Sequence, residues 1–375
     1  MGAWFHNPEE PLYAAINVPS RILLTFGGDG ERSRMVSWRY DSVPATGWVE
    51  LICGYDTMRV EAVAQQAVSL GGKSVYYQAK LENLTWNATY QYRLCHPSIT
   101  SDFFCFSMPD STSENFSFIY MGDVQDTING IFPVAMQNIR RKNPDASFYL
   151  FGGDVIERPH DCYWGEFFRS MDSVSQATPI VAIPGNHDYI KGVIARLEKR
   201  FTLVFPYLNN SDAGENNHVF TFRYKNAQFF LLDSNNGLIN LYRQKQWLRR
   251  ELAKSAARWK IVALHHPLYS IRGKYNNLFV RTFFEPVFNE YGVHLVLQGH
   301  EHGYARMTGE GNSPVYIISH NSPKVYKHVL NGNIEKYASA GRYYQHVSVG
   351  TDTLELRTFD LQDSIIDSID SVIKK

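Results

Sequence analysis

The chain has 375 residues, with 37 lysines and arginines against 37 aspartates and glutamates, and 44% of its residues are hydrophobic. Zero formal net charge without a basic run excludes a general nucleic-acid scaffold, and no apolar stretch approaches the ~18 residues that a membrane span needs. The hydrophobic content excludes a disordered polymer, which leaves a globular protein of about two domains.

The N-terminal MGAWFHNPEEP has neither a basic nor an apolar leader region, so no secretory signal is read in it. Up to residue 107 the chain reads as short strands: SRILLTF, SRMVSWRY, GWVELICGY, SVYYQAKLENL, TYQYRLC and DFFCFSMP, with turn residues between them. Trp38 inside an alternating run resembles the core tryptophan of an immunoglobulin-like sandwich, and Leu84 with Tyr90 six residues on resembles a tyrosine corner. Cys95 and Cys105 flank a predicted hairpin loop, compatible with a cross-strand disulfide or with two half-buried thiols. Four cysteines without a CxxC pair offer no thiolate zinc site. The sequons at Asn83, Asn87, Asn115 and Asn209 matter only in a secreting eukaryote. The polar stretch Met108 to Asn115 reads as a linker.

From Phe116 onward, apolar β-runs alternate with helical patterns, which points to a layered α/β domain. The runs are FSFIYM, ASFYLF, PIVAI, HVFTFRY, AQFFLL, KIVAL, HLVLQ and VYIIS. Val280, Phe283, Phe284, Val287, Phe288 and Tyr291 keep helical spacing around Pro286, and Leu241, Trp247, Leu248 and Leu252 predict a second helix. Near the C-terminus, VSVGTDTLELRTFDL is strand-like, whereas Ile365, Ile369, Val372 and Ile373 are helix-spaced.

Five of the apolar runs end in a glycine or proline turn that delivers Asp, Asn or His. They lead into Gly122-Asp123, Gly153-Asp154, Gly185-Asn186-His187-Asp188, His265-His266-Pro267 and Gly299-His300-Glu301-His302. Ligand sites in α/β sheets lie beyond the carboxyl ends of the strands, so five such ends predict one pocket. Imidazole, carboxylate and amide oxygen without thiolate suit Zn, Mn or Fe. About seven donors exceed one ion with an open position, and two ions about 3.5–4 Å apart serve in-line displacement at phosphorus.

In this order, GDVQD, GGDVIER, PGNHD, ALHHP and GHEH resemble the five blocks of the calcineurin-like metallophosphoesterase superfamily. With the preceding sandwich and GHEHGYARM, the chain is similar to the purple acid phosphatases and their bacterial relatives. The resemblance implies a fibronectin-type-III-like β-sandwich over residues 1–110 and a four-layer α/β/β/α catalytic domain over 111–375. Carried over block by block, it implies that Asp123 and His302 bind one metal, that Asp154 bridges, and that Asn186, His265 and His300 complete the second. His187 would act as general acid, with Asp188 orienting its imidazole. The reaction implied is hydrolysis of a phosphate ester, a monoester before a diester, with a phosphorylated small molecule as substrate and two ions (Fe, Zn or Mn) as cofactor. A periplasmic or secreted location follows from the same resemblance.

Two positions depart from the purple acid phosphatases and their superfamily. Glu157 stands where the purple acid phosphatases place a metal-binding tyrosine, so a colourless protein is expected. Gln125 stands where many members have the histidine of an Asp-x-His block, and an amide oxygen ligates more weakly than imidazole. Arg158 reads either as a phosphate clamp or as a surface partner of Glu157. His266 reads as a residue behind the ligands, as substrate-facing, or as a turn histidine. His160, His218 and His320 have no motif context, and Tyr163, Trp164, Tyr269 and Tyr304 read as pocket wall or core. The rival function is a binding or adhesion module with a vestigial metal site.

Overall fold

The computed structural model describes residues 9–28, 30–207, 218–235, 237–273, 277–308, 313–330 and 334–370. The sequon at Asn209 and the helical spacing at Val372 and Ile373 lie outside the described residues.

The first region is a two-sheet sandwich. One sheet orders Ser20–Phe26, Arg34–Arg39, Lys73–Leu81 and Val63–Val68, and the other orders Asp56–Glu61, Trp48–Cys53 and Thr89–His96, with Ile99–Thr100 and Phe104–Ser107 pairing the last. Alternating side chains Ile22, Leu24, Val36 and Trp38 point into its core. The Trp38 indole N–H donates to His96 Nε2 at 3.0 Å. The tyrosine corner forms: the Thr85 main-chain N–H donates to the Tyr90 hydroxyl at 2.8 Å. Cys95 and Cys105 are free thiols. Cys95 faces Thr100 across the hairpin while Cys105 faces Gln91, so the register keeps the two apart. The strands Asp56–Glu61 and Val63–Val68 escaped the sequence reading because they are mostly exposed and carry no apolar alternation.

The second region stacks two mixed sheets between helices. In the first sheet Phe116–Met121, Tyr149–Phe151 and Ile180–Ala182 are parallel neighbours, extended antiparallel by Tyr343–Val349 and Leu354–Asp360. In the second, Ala227–Leu231, Trp259–Ala263, Leu295–Gln298 and Val315–Ile318 run parallel. The period of two sorts each strand's side chains between layers. Phe229, Ile261, Leu295 and Ile317 face the first sheet, where Phe229 meets Phe118 edge-on at 5.3 Å. Phe230, Val262, Val296 and Ile318 face the helices Leu238–Lys254 and Leu278–Tyr291. The helices Phe132–Lys142 and Asp161–Met171 pack on the first sheet, with Phe167 edge-on to Phe151. Pro286 is accommodated inside its helix, which ends on left-handed Gly292. Residues 365–369 form an edge strand rather than a helix, because they pair with Leu354–Asp360 while buried Asp367 accepts from Tyr304 and Arg306.

The two regions share a core. Leu23, Phe26 and Tyr76, on the outer face of the sandwich, join the apolar cluster of the second region. Beside them the buried Asp161 carboxylate receives Arg21 at 2.6 Å, Arg39 at 3.3 Å and Arg200 at 3.4 Å. No helix among the described residues is long and apolar enough to cross a membrane.

Candidate metal centre

The parallel strands bring their carboxyl ends to one edge between the two sheets, and each delivers its residue there. Asp123 follows Phe116–Met121 and Asp154 follows Tyr149–Phe151. Asn186, His187 and Asp188 form a 3-10 turn after Ile180–Ala182. His265 follows Trp259–Ala263, and His300 and His302 follow Leu295–Gln298. Asp123, Asp154, His300 and His302 all have positive φ, at 44°, 51°, 71° and 51°. Four non-glycine residues in that region mark backbone strain gathered at one place, as at functional sites. A Cβ on Gly185 would lie 2.2 Å from the Asp154 carboxylate, and one on Gly299 would lie 2.5 Å from that of Asp123. Glycine is thus needed for the turns to close on both aspartates.

Ligand atoms of Asp123, Asp154 and His265, all buried, lie within 4.8 Å of one another. His265 donates Nδ1–H to the Gly152 carbonyl at 2.8 Å, which turns Nε2 toward Asn186 Oδ1 at 3.3 Å and Asp154 Oδ2 at 3.4 Å. His302 likewise donates Nδ1–H to the Lys324 carbonyl at 3.0 Å, leaving Nε2 3.5 Å from Asp123 Oδ1. Fixing one ring nitrogen on a carbonyl sets the tautomer whose other nitrogen can ligate. Asn186 Oδ1 is 2.8 Å from His300 Nδ1. Gln125 is fully buried with its amide nitrogen 3.4 Å from His302 Nε2.

These residues fit a metal pair. Asp123 Oδ1 and Gln125 Oε1 are buried with no hydrogen-bond donor. Such orphaned oxygens cost about 1–3 kcal/mol each, more for a charged one, and a cation would satisfy both. Burial by itself would lower the His265 pKa, but the adjacent Asp154 carboxylate outweighs it and pushes the imidazole up to about 10. Burial would raise Asp154, and the His265 charge and hydrogen bond hold it below the usual carboxylate range instead. As an ion pair the two are neutral overall, and a metal ion that took the Nε2 lone pair would displace that proton.

His187 sits beside this cluster, its main-chain N–H donating to Asp154 Oδ1 at 2.7 Å. Its ring is held by the Glu157 carbonyl, which accepts from Nδ1 at 2.7 Å. Asp188 does not take the orienting role expected of it: the Glu157 carbonyl holds the ring instead. The Asp188 carboxylate accepts the main-chain N–H groups of Gly185, Val155 and Ile156, so its hydrogen bonds pin two turns together instead of going to the imidazole. Burial, and then the nearby Asp154 charge, push Asp188 up to about 8.

Glu157 pairs through its carboxylate with Lys324 at 2.6 Å, not with Arg158, which is exposed. His266 is half-buried, packs on the His300 ring at 4.3 Å, and has the Ser234 hydroxyl 3.0 Å from its Nδ1. Trp164 and Tyr304 are core residues whose polar atoms reach Glu198 and Asp367. Tyr269 pairs with Glu285, and Tyr163 is half-buried. His160 precedes the helix Asp161–Met171, and His218 lies 3.1 Å from Asp233.

Several residues beside the centre were missed in the sequence. His320, directly after the strand-end Ser319, stacks on the His302 ring at 5.6 Å. Tyr326 packs on the same ring at 4.4 Å and carries the Arg272 guanidinium 3.8 Å above its face. Ser234 ends a sixth apolar run, Ala227–Leu231. The signal that could have found His320 and Ser234 was the rule that found the other five, a polar residue just past a buried strand.

The Calcineurin-like phosphoesterase family model matches residues 116–304. Purple acid phosphatase 1 of Ipomoea batatas is 24% identical over 324 residues, covering 81% of this chain and 67% of that protein. Purple acid phosphatase 15 of Arabidopsis thaliana is 25% identical over 172 residues, 43% of this chain but 32% of that protein, so the chain spans about a third to two thirds of these relatives. Among solved structures, the purple acid phosphatase PPD1 from yellow lupin (Lupinus luteus) seeds superposes with a TM-score of 0.78 at 15% identity, over 94% of this chain and 74% of that one. With a match over half its length, and with the donors of that match converging on one strand-end edge, the chain belongs to the calcineurin-like phosphoesterase family.

Proposed function

We propose that the protein hydrolyses a phosphate monoester at a centre of two metal ions held by Asp123, Gln125, Asp154, Asn186, His265, His300 and His302. The observation that carries this reading is the convergence of buried Asp123, Asp154 and His265 within 4.8 Å, with imidazole Nε2 atoms turned inward by carbonyl hydrogen bonds. Asp154 is the proposed bridge, since it lies against both His265 and the His187 turn. When bound, two metal ions supply Lewis acidity toward the phosphoryl oxygens and lower the pKa of a water.

The chain's own residues do the rest. His187, with Nδ1–H held by the Glu157 carbonyl, is proposed to act from its imidazolium form: Nε2–H gives its proton to the departing alkoxide, which leaves the neutral Nδ1–H tautomer. Arg158 and the Arg272 guanidinium on Tyr326 are the cations proposed to meet the phosphate oxygens; a guanidinium fork suits two of them. Asp188 keeps the Asp154 and Asn186 turns in register through three main-chain N–H groups. The sandwich is proposed to support this domain through the shared core and the Asp161 cluster.

The test is turnover of a chromogenic phosphomonoester and its matched diester with Mn, Zn or Fe supplied, beside Asp154→Asn. Metal-dependent hydrolysis that favours the monoester and drops at least ~10³-fold in the variant is expected. Equal turnover in the variant would overturn the reading, and a preference for the diester would move the substrate class.

A further inference from the structure

A cavity of about 510 Å³ opens directly beside the centre, in the size range of about 300–1,000 Å³ that small-molecule sites occupy. Asn186 and His266 line it on the side of the centre, and His266 packs on His300. The rest of the wall is mainly apolar, with Ser234, Asn235 and Asn277 as its neutral polar members. Tyr189, Leu241, Leu238 and Phe279 line it, the last two from the first turns of the helices Leu238–Lys254 and Leu278–Tyr291. Leu238 and Phe279 are 51% and 58% exposed. Neither helix has an acidic residue in its first turn, and Lys191 is the one full charge among the described lining residues.

A phosphate dianion gains nothing from such walls, because its partners are the metal donors and cations. What an apolar wall beside a phosphoryl site can bind is the remainder of the ester. Two large hydrophobic side chains held half out of water at the rim would be shielded by an apolar group placed between them. We propose that this cavity is the leaving-group pocket, and that the substrate is the phosphate ester of an apolar or aromatic alcohol rather than of a sugar or another polyol. This rests on the hydrolase reading for the position of the phosphate, and on the cavity for what is attached to it.

The test separates the two. Binding of benzylphosphonate and methylphosphonate, which are not hydrolysed, is measured by calorimetry on the zinc-loaded full chain. The variants are Leu238→Ala/Phe279→Ala, which strips the rim, and Leu238→Trp, which fills the cavity. Both positions are over half exposed, so the core is left intact. The wild type is expected to bind the benzyl compound about tenfold more tightly or better, with the ratio falling to about threefold or less in both variants. Equal affinity for the two compounds in the wild type, or a benzyl preference unchanged in both variants, would overturn the pocket. Turnover of benzyl phosphate is measured alongside. A benzyl preference in binding without hydrolysis under any metal would retain the pocket and remove the hydrolase, whereas hydrolysis without a benzyl preference would do the reverse.

Discussion

His187 donates its Nδ1–H to the main-chain carbonyl of Glu157 at 2.7 Å, so a backbone atom 30 residues upstream fixes the ring that faces the candidate centre. His187→Asn is therefore expected to lower kcat by ~10²–10⁴-fold with metal content unchanged, because the imidazole is proposed to move a proton and not to hold an ion. Metal analysis and steady-state rates on the same preparation check this. Loss of bound metal in step with activity would make His187 a ligand instead.

Gln125 occupies the place where an imidazole would be a stronger donor, next to His302 and with its own amide oxygen orphaned. Gln125→His is expected to slow metal loss to a chelator by about tenfold or more. The protein itself should be colourless after loading with iron, since Glu157 stands at the tyrosine position and its carboxylate is engaged by Lys324. Dialysis against chelator followed by metal analysis reads the first outcome. A visible absorption band of the tyrosinate–iron kind would contradict the second.

Arg21 and Asp161 tie the sandwich to the second region through side chains only 6% and 8% exposed. Removing one partner strands the other's charge away from water. Arg21→Ala should cost about 3 kcal/mol, the low end for a buried pair because Arg39 and Arg200 stay near the same carboxylate. Urea midpoints measure it. A fragment beginning near Glu114 should aggregate, because it exposes the surface that Leu23, Phe26 and Tyr76 cover. A soluble fragment with full turnover would refute the shared core.

His96 is buried with both ring nitrogens engaged, one accepting from Trp38 and the other donating to the Thr46 carbonyl. Burial lowers its pKa below the ordinary 6.5, although the Thr46 bond opposes this. A group depressed on folding takes up its proton more readily when unfolded. Its contribution is therefore complete above about pH 6.5 and is lost as the pH falls below it. Stability should decline from pH 7 to pH 5, and less steeply in His96→Asn. Parallel declines in denaturant midpoints would exclude His96 as a source.

Much of the centre was legible because its residues obey a local rule. Asp123, Asp154, Asn186, His300 and His302 each follow a run of apolar strand residues after a glycine turn, and His265 follows its run directly, a pattern written in nearby positions. The tyrosine corner at Tyr90 and the helix around Pro286 were legible for the same reason, since each is a spacing within one short segment. The edge strand at 365–369 was not, because its conformation is decided by pairing with a neighbouring strand rather than by its own period.

The sequence by itself determined which polar residues close the apolar strands and the order in which the strands present them, because apolar runs and turns act over a few residues. Only the tertiary structure decided what surrounds those donors. Lys324 meets Glu157 across 167 positions, Arg272 rides on Tyr326 over His302, and Asp188 turns to main-chain N–H groups instead of to His187. These are contacts between distant segments or with backbone atoms. A backbone carbonyl or N–H has no letter of its own in the sequence, and distant side chains meet only after the sheet order brings their loops to one edge.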